Sequence, residues 1–277
     1  QRFCENSDPS PKSYKVQSSN ELVDDLLTYP VIVKPLDRSG SRGITKVFCF
    51  SELEDAICHA QDQGFEKSAL VEEFVEGDEY SVEYISWRGN HHFLAITKKH
   101  TTGSPHFIET GHVEPALLSA EITEKIKKIV SHALTGLGIQ YGASHSEIKI
   151  TEAGVIQIIE IAGRMGGDFI GSSLVELTTG FDYLSAVINI ALGIEPKVKV
   201  SSRTHAAIRF IFNQNDLNTL ETMKRDHPEI IVDYAIFNMH TPKEVTDSSH
   251  RYGYYIFSSS NRLLIEEYLP DTEASEQ

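Results

Sequence analysis

The chain has 277 residues, with 25 Lys plus Arg against 40 Asp plus Glu, for a formal charge of −15. That balance argues against a binder of nucleic-acid backbones, which would be basic, but a few local cations and backbone amides could still hold phosphate ligands. Apolar residues make up 40% of the chain, ordinary globular usage with no low-complexity tract and no run approaching the ~18 apolar residues of a membrane span. Three cysteines (Cys4, Cys49, Cys58), odd in number and without metal-type spacing, fit the reducing cytoplasm better than a disulfide framework. The start Gln1-Arg2-Phe3-Cys4 lacks Met, a charged n-region and an apolar h-region, so it reads as a truncation and not as a signal peptide.

Residues 1–17 are polar, with Pro9 and Pro11, and predict a loop. Ser18 and Glu21 form a capping-box pattern ahead of Leu22, Val23, Leu26 and Leu27, a short helix. A strand over 31–34 ends at Pro35, a polar turn covers 36–43 and a strand resumes over 44–50, which makes a hairpin with a long glycine-bearing loop. Ser51 and Glu54 open a capped helix with Leu53, Ile57 and Ala60 on one face. Strands are expected over 68–75, 79–87 and 92–97. The clearest helix is 121–137, where Ile122, Ile126, Ile129, Val130, Ala133, Leu134 and Leu137 recur at helical spacing. Two strands, 144–150 and 155–161, flank the turn Glu152-Ala153-Gly154, and two short helices fill 170–193. After a linker at Pro196–Arg203, strands at 204–212, 230–237 and 253–258 with helices at 216–226 and 260–268 predict a small α+β module.

Three clusters carry chemistry. Lys34, ending an apolar strand before a Gly/Ser loop, places an ammonium and free amides where a polyphosphate could bind; a solvated strand-end cation is the plainer alternative. In the second cluster, Leu70-Val71-Glu72-Glu73-Phe74-Val75-Glu76-Gly77-Asp78-Glu79, an apolar strand runs into an acidic turn. That pattern suits a hinge whose backbone meets an adenine edge and whose later carboxylate accepts from ribose, or simply a solvated acidic turn. The third cluster sets Glu147 and Glu160 on two adjacent strands. Alternation puts His145 and Glu147 on one sheet face, and Glu160 interrupts the apolar run 155–161, where a buried carboxylate needs a cation or a partner. Two such carboxylates make a hard-oxygen site suited to Mg²⁺ bridging phosphates. The alternative is a buried ion pair with Arg164, which follows in Ala162-Gly163-Arg164-Met165-Gly166-Gly167.

In order and spacing these clusters resemble the ATP-grasp superfamily over roughly residues 1–200, and within it the carboxylate–amine ligases of the L-amino acid ligase type, relatives of biotin carboxylase and carbamoyl-phosphate synthetase. The resemblance implies an α+β fold of two subdomains clasping ATP. These would be a lid subdomain over 28–76 and a C-terminal subdomain with the metal site over 77–199, preceded by an N-terminal remnant and linker over 1–27 and followed by the small α+β module over 200–277. It also implies that Lys34 contacts the ATP phosphates, that Ser39, Gly40, Ser41 and Gly43 close over the triphosphate, that Glu72, Phe74 and Val75 form the adenine hinge and that Glu79 binds ribose. Glu147 and Glu160 match the paired magnesium ligands, with Mn²⁺ an acceptable substitute, and Arg164 matches the arginine that stabilises the transferring phosphoryl group. Glu109 and His112, the Glu-x-x-His of Phe107–Pro115, match the amine subsite, although an ordinary polar loop is the alternative, and His145 joins them as a substrate-binding candidate.

The family pattern is broken twice. Ala162 stands where many members carry a metal-binding Asn, as in the amino-acid ligase branch, and the N-terminal domain with a first ATP lysine would lie before Gln1. The expectation is therefore an ATP- and Mg²⁺-dependent ligase of small-molecule carboxylates and amines, cytoplasmic, with no nucleic-acid or membrane partner, and a homodimer as is common in the family. The rivals are a bicarbonate-phosphorylating enzyme and a non-catalytic nucleotide-binding module.

Overall fold

A computed structural model describes residues 9–104, 107–201, 204–237, 245 and 247–270. A small antiparallel sheet holds β1 (Ser13–Val16), β2 (Val31–Pro35), β3 (Thr45–Val47) and β4 (Ala69–Glu73) in the order β1-β4-β2-β3. One face packs on α1 (Leu53–Gln63), whose Leu53, Ala56, Ile57 and Ala60 meet Val31, Val33, Val47 and Val71 in a closed core. Because side chains alternate along a strand, burying Val31 and Val33 turns Ile32 and Lys34 to the opposite face, beside Leu70 and Glu72 of β4.

Three local expectations change here. Within the predicted N-terminal loop, Ser13–Val16 pairs with β4, while residues 1–8, with Cys4, lie outside the described residues. The capping box of Ser18 and Glu21 forms, but on a single 3₁₀ turn, Ser19–Glu21, followed by another at Asp24–Leu26; so short a segment cannot sustain an α-helix by itself. Ser51 does not cap α1, because Phe50–Glu52 is itself a 3₁₀ turn and the Glu52 carboxylate accepts from the Phe48 amide at 3.0 Å.

The large sheet comprises β5 (Asp78–Trp87), β6 (Asn90–Thr101), β7 (Glu109–Glu114), β8 (Gly142–Ile150), β9 (Ile156–Ala162), β10 (His205–Ile211), β11 (Ile231–Ile236) and β12 (Gly253–Ser259). Their order is β11-β12-β10-β7-β6-β5-β8-β9. Arg88 and Gly89, with φ of 51° and 79°, join β5 to β6 through a two-residue turn of the left-handed type that suits strand twist. On one face α2 (Ala120–Gly136) sets Ile126, Val130, Ala133 and Leu134 on Val82, Ile96 and Ile148. On the other face α3 (Val175–Thr179) and α4 (Tyr183–Ala191) pack over Ile85, Leu94 and Ala143. Toward the C-terminus α5 (Gln214–Asp226) and α6 (Arg262–Glu267) cover β10 and β12.

The strands after residue 200 do not form a sheet of their own: β10 hydrogen-bonds to β7 and continues the central one. The Glu-x-x-His segment is β7, an interior strand and not a polar loop, paired to β6 from Glu109 to Val113 and to β10 from Gly111 to Glu114. Arg209 is structural, bound to Asp216 and to the carbonyls of Tyr268 and Leu269. Among the described residues no helix is long and apolar enough to cross a membrane, and Cys49 and Cys58 are exposed free thiols.

Candidate active site

The two sheets face each other across a cleft of about 900 Å³. From the small sheet come Lys34 and Glu72, paired at 3.0 Å. Burial raises the Glu72 carboxyl above its usual range, and the Lys34 ammonium only partly opposes this. The hinge follows directly. Amides of Glu73 and Phe74 are spent on the carbonyls of Lys12 and Pro30, each at 3.0 Å, so of these residues Val75 is the one whose amide is not committed there. The Phe74 ring projects into the cleft with the Lys46 ammonium 3.7 Å and the Lys149 ammonium 4.9 Å from its centroid, and Phe107 lies 5.8 Å away.

The loop between β2 and β3 closes over the same space. Ser39, Gly40 and Ser41 line it, and the Ser41 hydroxyl donates to the Phe107 carbonyl at 3.0 Å. Gly40 needs its glycine: φ is +69°, and a Cβ there would lie 2.5 Å from the Ser248 hydroxyl. Gly43 is not part of the lining; it turns the chain against Pro35 and Gln63.

The large sheet supplies the acidic floor. Glu147 of β8 stands directly opposite Glu160 of β9, an arrangement of like charges that is unfavourable without a cation nearby. Glu147 is already compensated: Lys99 lies 2.7 Å away and His145 Nε2 3.4 Å away. Burial would raise its pKa, but Lys99 and His145 prevail and hold it well below the carboxylate range. Glu160 is exposed and not buried as its apolar strand suggested, because β9 ends the sheet and this end of it opens on the cleft. No ion pair joins Glu160 to Arg164, whose guanidinium instead donates to the Met165 carbonyl at 2.7 Å. Among the described residues no three His, Cys, Asp or Glu form a ligand cluster. A pair of carboxylates is nonetheless what Mg²⁺ takes when phosphates and water complete its shell, and the opposed pair fits that role.

Several residues of the site escaped the sequence reading. Lys99 is 4% exposed and sits among Glu79 at 2.6 Å, Glu147 at 2.7 Å and Glu109 at 3.6 Å. Burial alone would lower its pKa, but these carboxylates outweigh it and keep the ammonium charged well above the usual range. No local pattern marked it, because Lys99 sits between Lys98 and His100 in a polar stretch of the chain. Arg251, before β12, grips Asp168 with two hydrogen bonds of 2.7 and 2.8 Å and approaches Glu109 at 3.4 Å. His112 Nε2 lies 3.5 Å from Asp168, which stays well below the usual carboxylate range because His112 and Arg251 outweigh its burial. Asp168 and Phe169 adopt φ of 51° and 63°, a left-handed backbone that non-glycine residues hold at a cost. Thus Glu79, Glu109, His112, His145, Glu147, Glu160 and Arg164 meet in one cleft with Lys34, Glu72, Phe74 and Val75.

A family model described as the ATP-grasp domain matches residues 27–172, just over half of the chain. The alanine–anticapsin ligase of Bacillus subtilis (strain 168) is 31% identical over 160 residues, covering 50% of this chain and 34% of that protein. The D-alanine–D-alanine ligase of Marinomonas sp. is 26% identical over 203 residues, covering 69% and 61% respectively; the chain thus spans a third to three fifths of these two relatives. The crystal structure of an L-amino acid ligase from Bacillus licheniformis superposes with a TM-score of 0.78 at 23% identity, covering 96% of this chain and 67% of that one. A hairpin and an acidic sheet floor lining one cleft, the matched domain and the shared architecture lead to one assignment: the chain belongs to the ATP-grasp family.

Proposed function

We propose that this chain carries the catalytic core of an ATP- and Mg²⁺-dependent, ADP-forming ligase that activates a carboxylate, such as that of an amino acid, for attack by an amine. The observation that carries the reading is the opposed Glu147/Glu160 pair with Arg164 four residues on, lining the same cleft as Glu109 and His112 of the same sheet. The named relatives, ligases of amino acids, support it. A substrate carboxylate oxygen attacks the γ-phosphorus, the bond to the β–γ bridging oxygen breaks and ADP leaves; the amine nitrogen then attacks the acyl carbon and phosphate departs.

Glu147 and Glu160 would hold Mg²⁺ or Mn²⁺, which when bound supplies charge neutralisation on the phosphates. Lys34 meets the phosphates, and Ser39, Gly40 and Ser41 cover them. Gly43 shapes the turn that allows this closure. Glu72, Phe74 and Val75 seat adenine and Glu79 accepts from ribose. Arg164 faces the transferring phosphoryl group, since such catalysis is largely positioning and charge neutralisation. Glu109, His112 and His145 hold the amine side, where the ammonium proton must leave. The substrates are small molecules; a cytoplasmic setting, a homodimer and the absence of nucleic-acid or membrane partners belong to the same reading.

The test is phosphate release from Mg-ATP by the full-length protein with hydroxylamine present, with amino acids and bicarbonate supplied in separate pools. Hydroxamate formation with an amino-acid pool is expected. Release with bicarbonate alone points instead to a bicarbonate-phosphorylating enzyme, and ATP binding without release in any pool points to a non-catalytic nucleotide module.

A further inference from the structure

Glu83, in the middle of β5, is fully buried. A carboxylate in that position is costly unless both oxygens are satisfied, and an apolar residue would serve the fold better. Both oxygens are in fact used. Glu83 stands directly across from His145 in the β5–β8 register and bonds its Nδ1. The other oxygen accepts the Gly166 amide at 3.0 Å. With Nδ1 engaged, the ring presents Nε2 to Glu147, 3.4 Å away. From the other flank β9 offers only Ala162 opposite His145, a methyl that cannot orient an imidazole. Gly166 closes the arrangement, since a Cβ there would lie 2.7 Å from the Glu83 carboxylate and 2.9 Å from His145 Nδ1.

We propose that Glu83 is a positioning residue of the active site, a buried carboxylate that aims His145 at Glu147 and, through its second oxygen, anchors the loop bearing Arg164. The inference rests on the ligase reading for the roles of Glu147 and Arg164, and nothing in the sequence motifs singles Glu83 out. It makes the acidic floor and the phosphoryl-facing loop one hydrogen-bonded unit: moving Glu83 displaces both. Partners that orient a ligand from behind are worth roughly 10- to 100-fold in metal affinity.

The test uses the whole chain with ATP bound and measures Mn²⁺ affinity by electron paramagnetic resonance, with circular dichroism to confirm folding. Glu83→Gln should weaken Mn²⁺ binding roughly tenfold or more. In a His145→Gln background the same change should add nothing to the loss of Mn²⁺ affinity, because Glu83 reaches the Glu147 carboxylate through that ring. Gly166→Ala, which crowds the pair from the opposite side, should reproduce the loss, and it decides the matter if Glu83→Gln fails to fold. Unchanged Mn²⁺ affinity in the folded variants, simple additivity in the double variant, or a wild-type chain that binds no Mn²⁺ with ATP would each overturn the proposal. A wild-type chain that binds Mn²⁺ and ATP but forms no hydroxamate sinks the ligase reading alone, and the metal titration still decides the role of Glu83.

Discussion

Glu160 and Lys99 show how burial separates chemistry from stability at the level of single residues. Glu160 is exposed, so Glu160→Gln should abolish ATP turnover while shifting unfolding free energy by no more than about 0.5 kcal/mol, the range of exposed substitutions; phosphate release and urea melts of the same sample check both halves. Lys99 is the reverse case. With 4% exposure and carboxylates on three sides, Lys99→Met strands uncompensated charge and should cost roughly 3–5 kcal/mol in a urea melt. Glu147, Glu160 and Arg164 could be picked out in the sequence because their spacing resembles a known family and one carboxylate interrupts an apolar run. Lys99, Arg251 and Asp168 could not, because each is meaningful only through partners far along the chain: Arg251 lies 83 residues from Asp168 and 142 from Glu109.

At the level of elements, periodicity reported what a single helix or strand buries. The helix at 120–136 and the strands at 142–150 and 156–162 lie within a few residues of their expected bounds, since the helix buries one regular stripe and Ile156 and Ile158 alternate inward on the last strand. β7 was hidden for a physical reason. Its Glu109, Thr110, His112 and Glu114 are polar, and it is a strand because β6 and β10 supply its hydrogen bonds, so only the sheet reveals it. β1 likewise exists through β4. Caps are local and more legible, yet the box on α5, where Asn213 accepts from the Asn215 and Asp216 amides, starts this helix at Gln214, ahead of the expected residue 216. Asn213→Ala should lower stability by about 1 kcal/mol, measured by thermal unfolding against the wild-type chain.

For the whole molecule, pH reads the balance of buried titratable groups. Burial pushes the Glu114 carboxyl up to about 7 from 4.5, against hydrogen bonds from Thr178 and Thr97. The folded state therefore prefers the protonated form: this contribution is complete below pH 4.5 and is lost as pH rises to about 7. The rise corresponds to roughly 3 kcal/mol, so Glu114→Gln should gain about that much stability relative to wild type between pH 4.5 and 7.5 in urea titrations. His100 works in the opposite direction. Burial, reinforced by Lys98 and His112, lowers it from 6.5 to about 4; its contribution is complete above pH 6.5 and is lost as pH falls toward 4. His100→Gln should flatten the acid limb of the stability curve. By itself, the sequence determined the elements that bury a periodic stripe, the β2–β3 hairpin and the adjacent strands that carry Glu147 and Glu160, because these depend on neighbours within a few residues or on spacing along one strand pair. The tertiary structure alone decided that Glu160 is exposed, that β7 is an interior strand joined to the C-terminal strands, that Lys99 and Arg251 line the cleft, and that Glu83 is buried against His145. Burial and ion pairing between distant segments are properties of the packed sheets, and no local pattern encodes them.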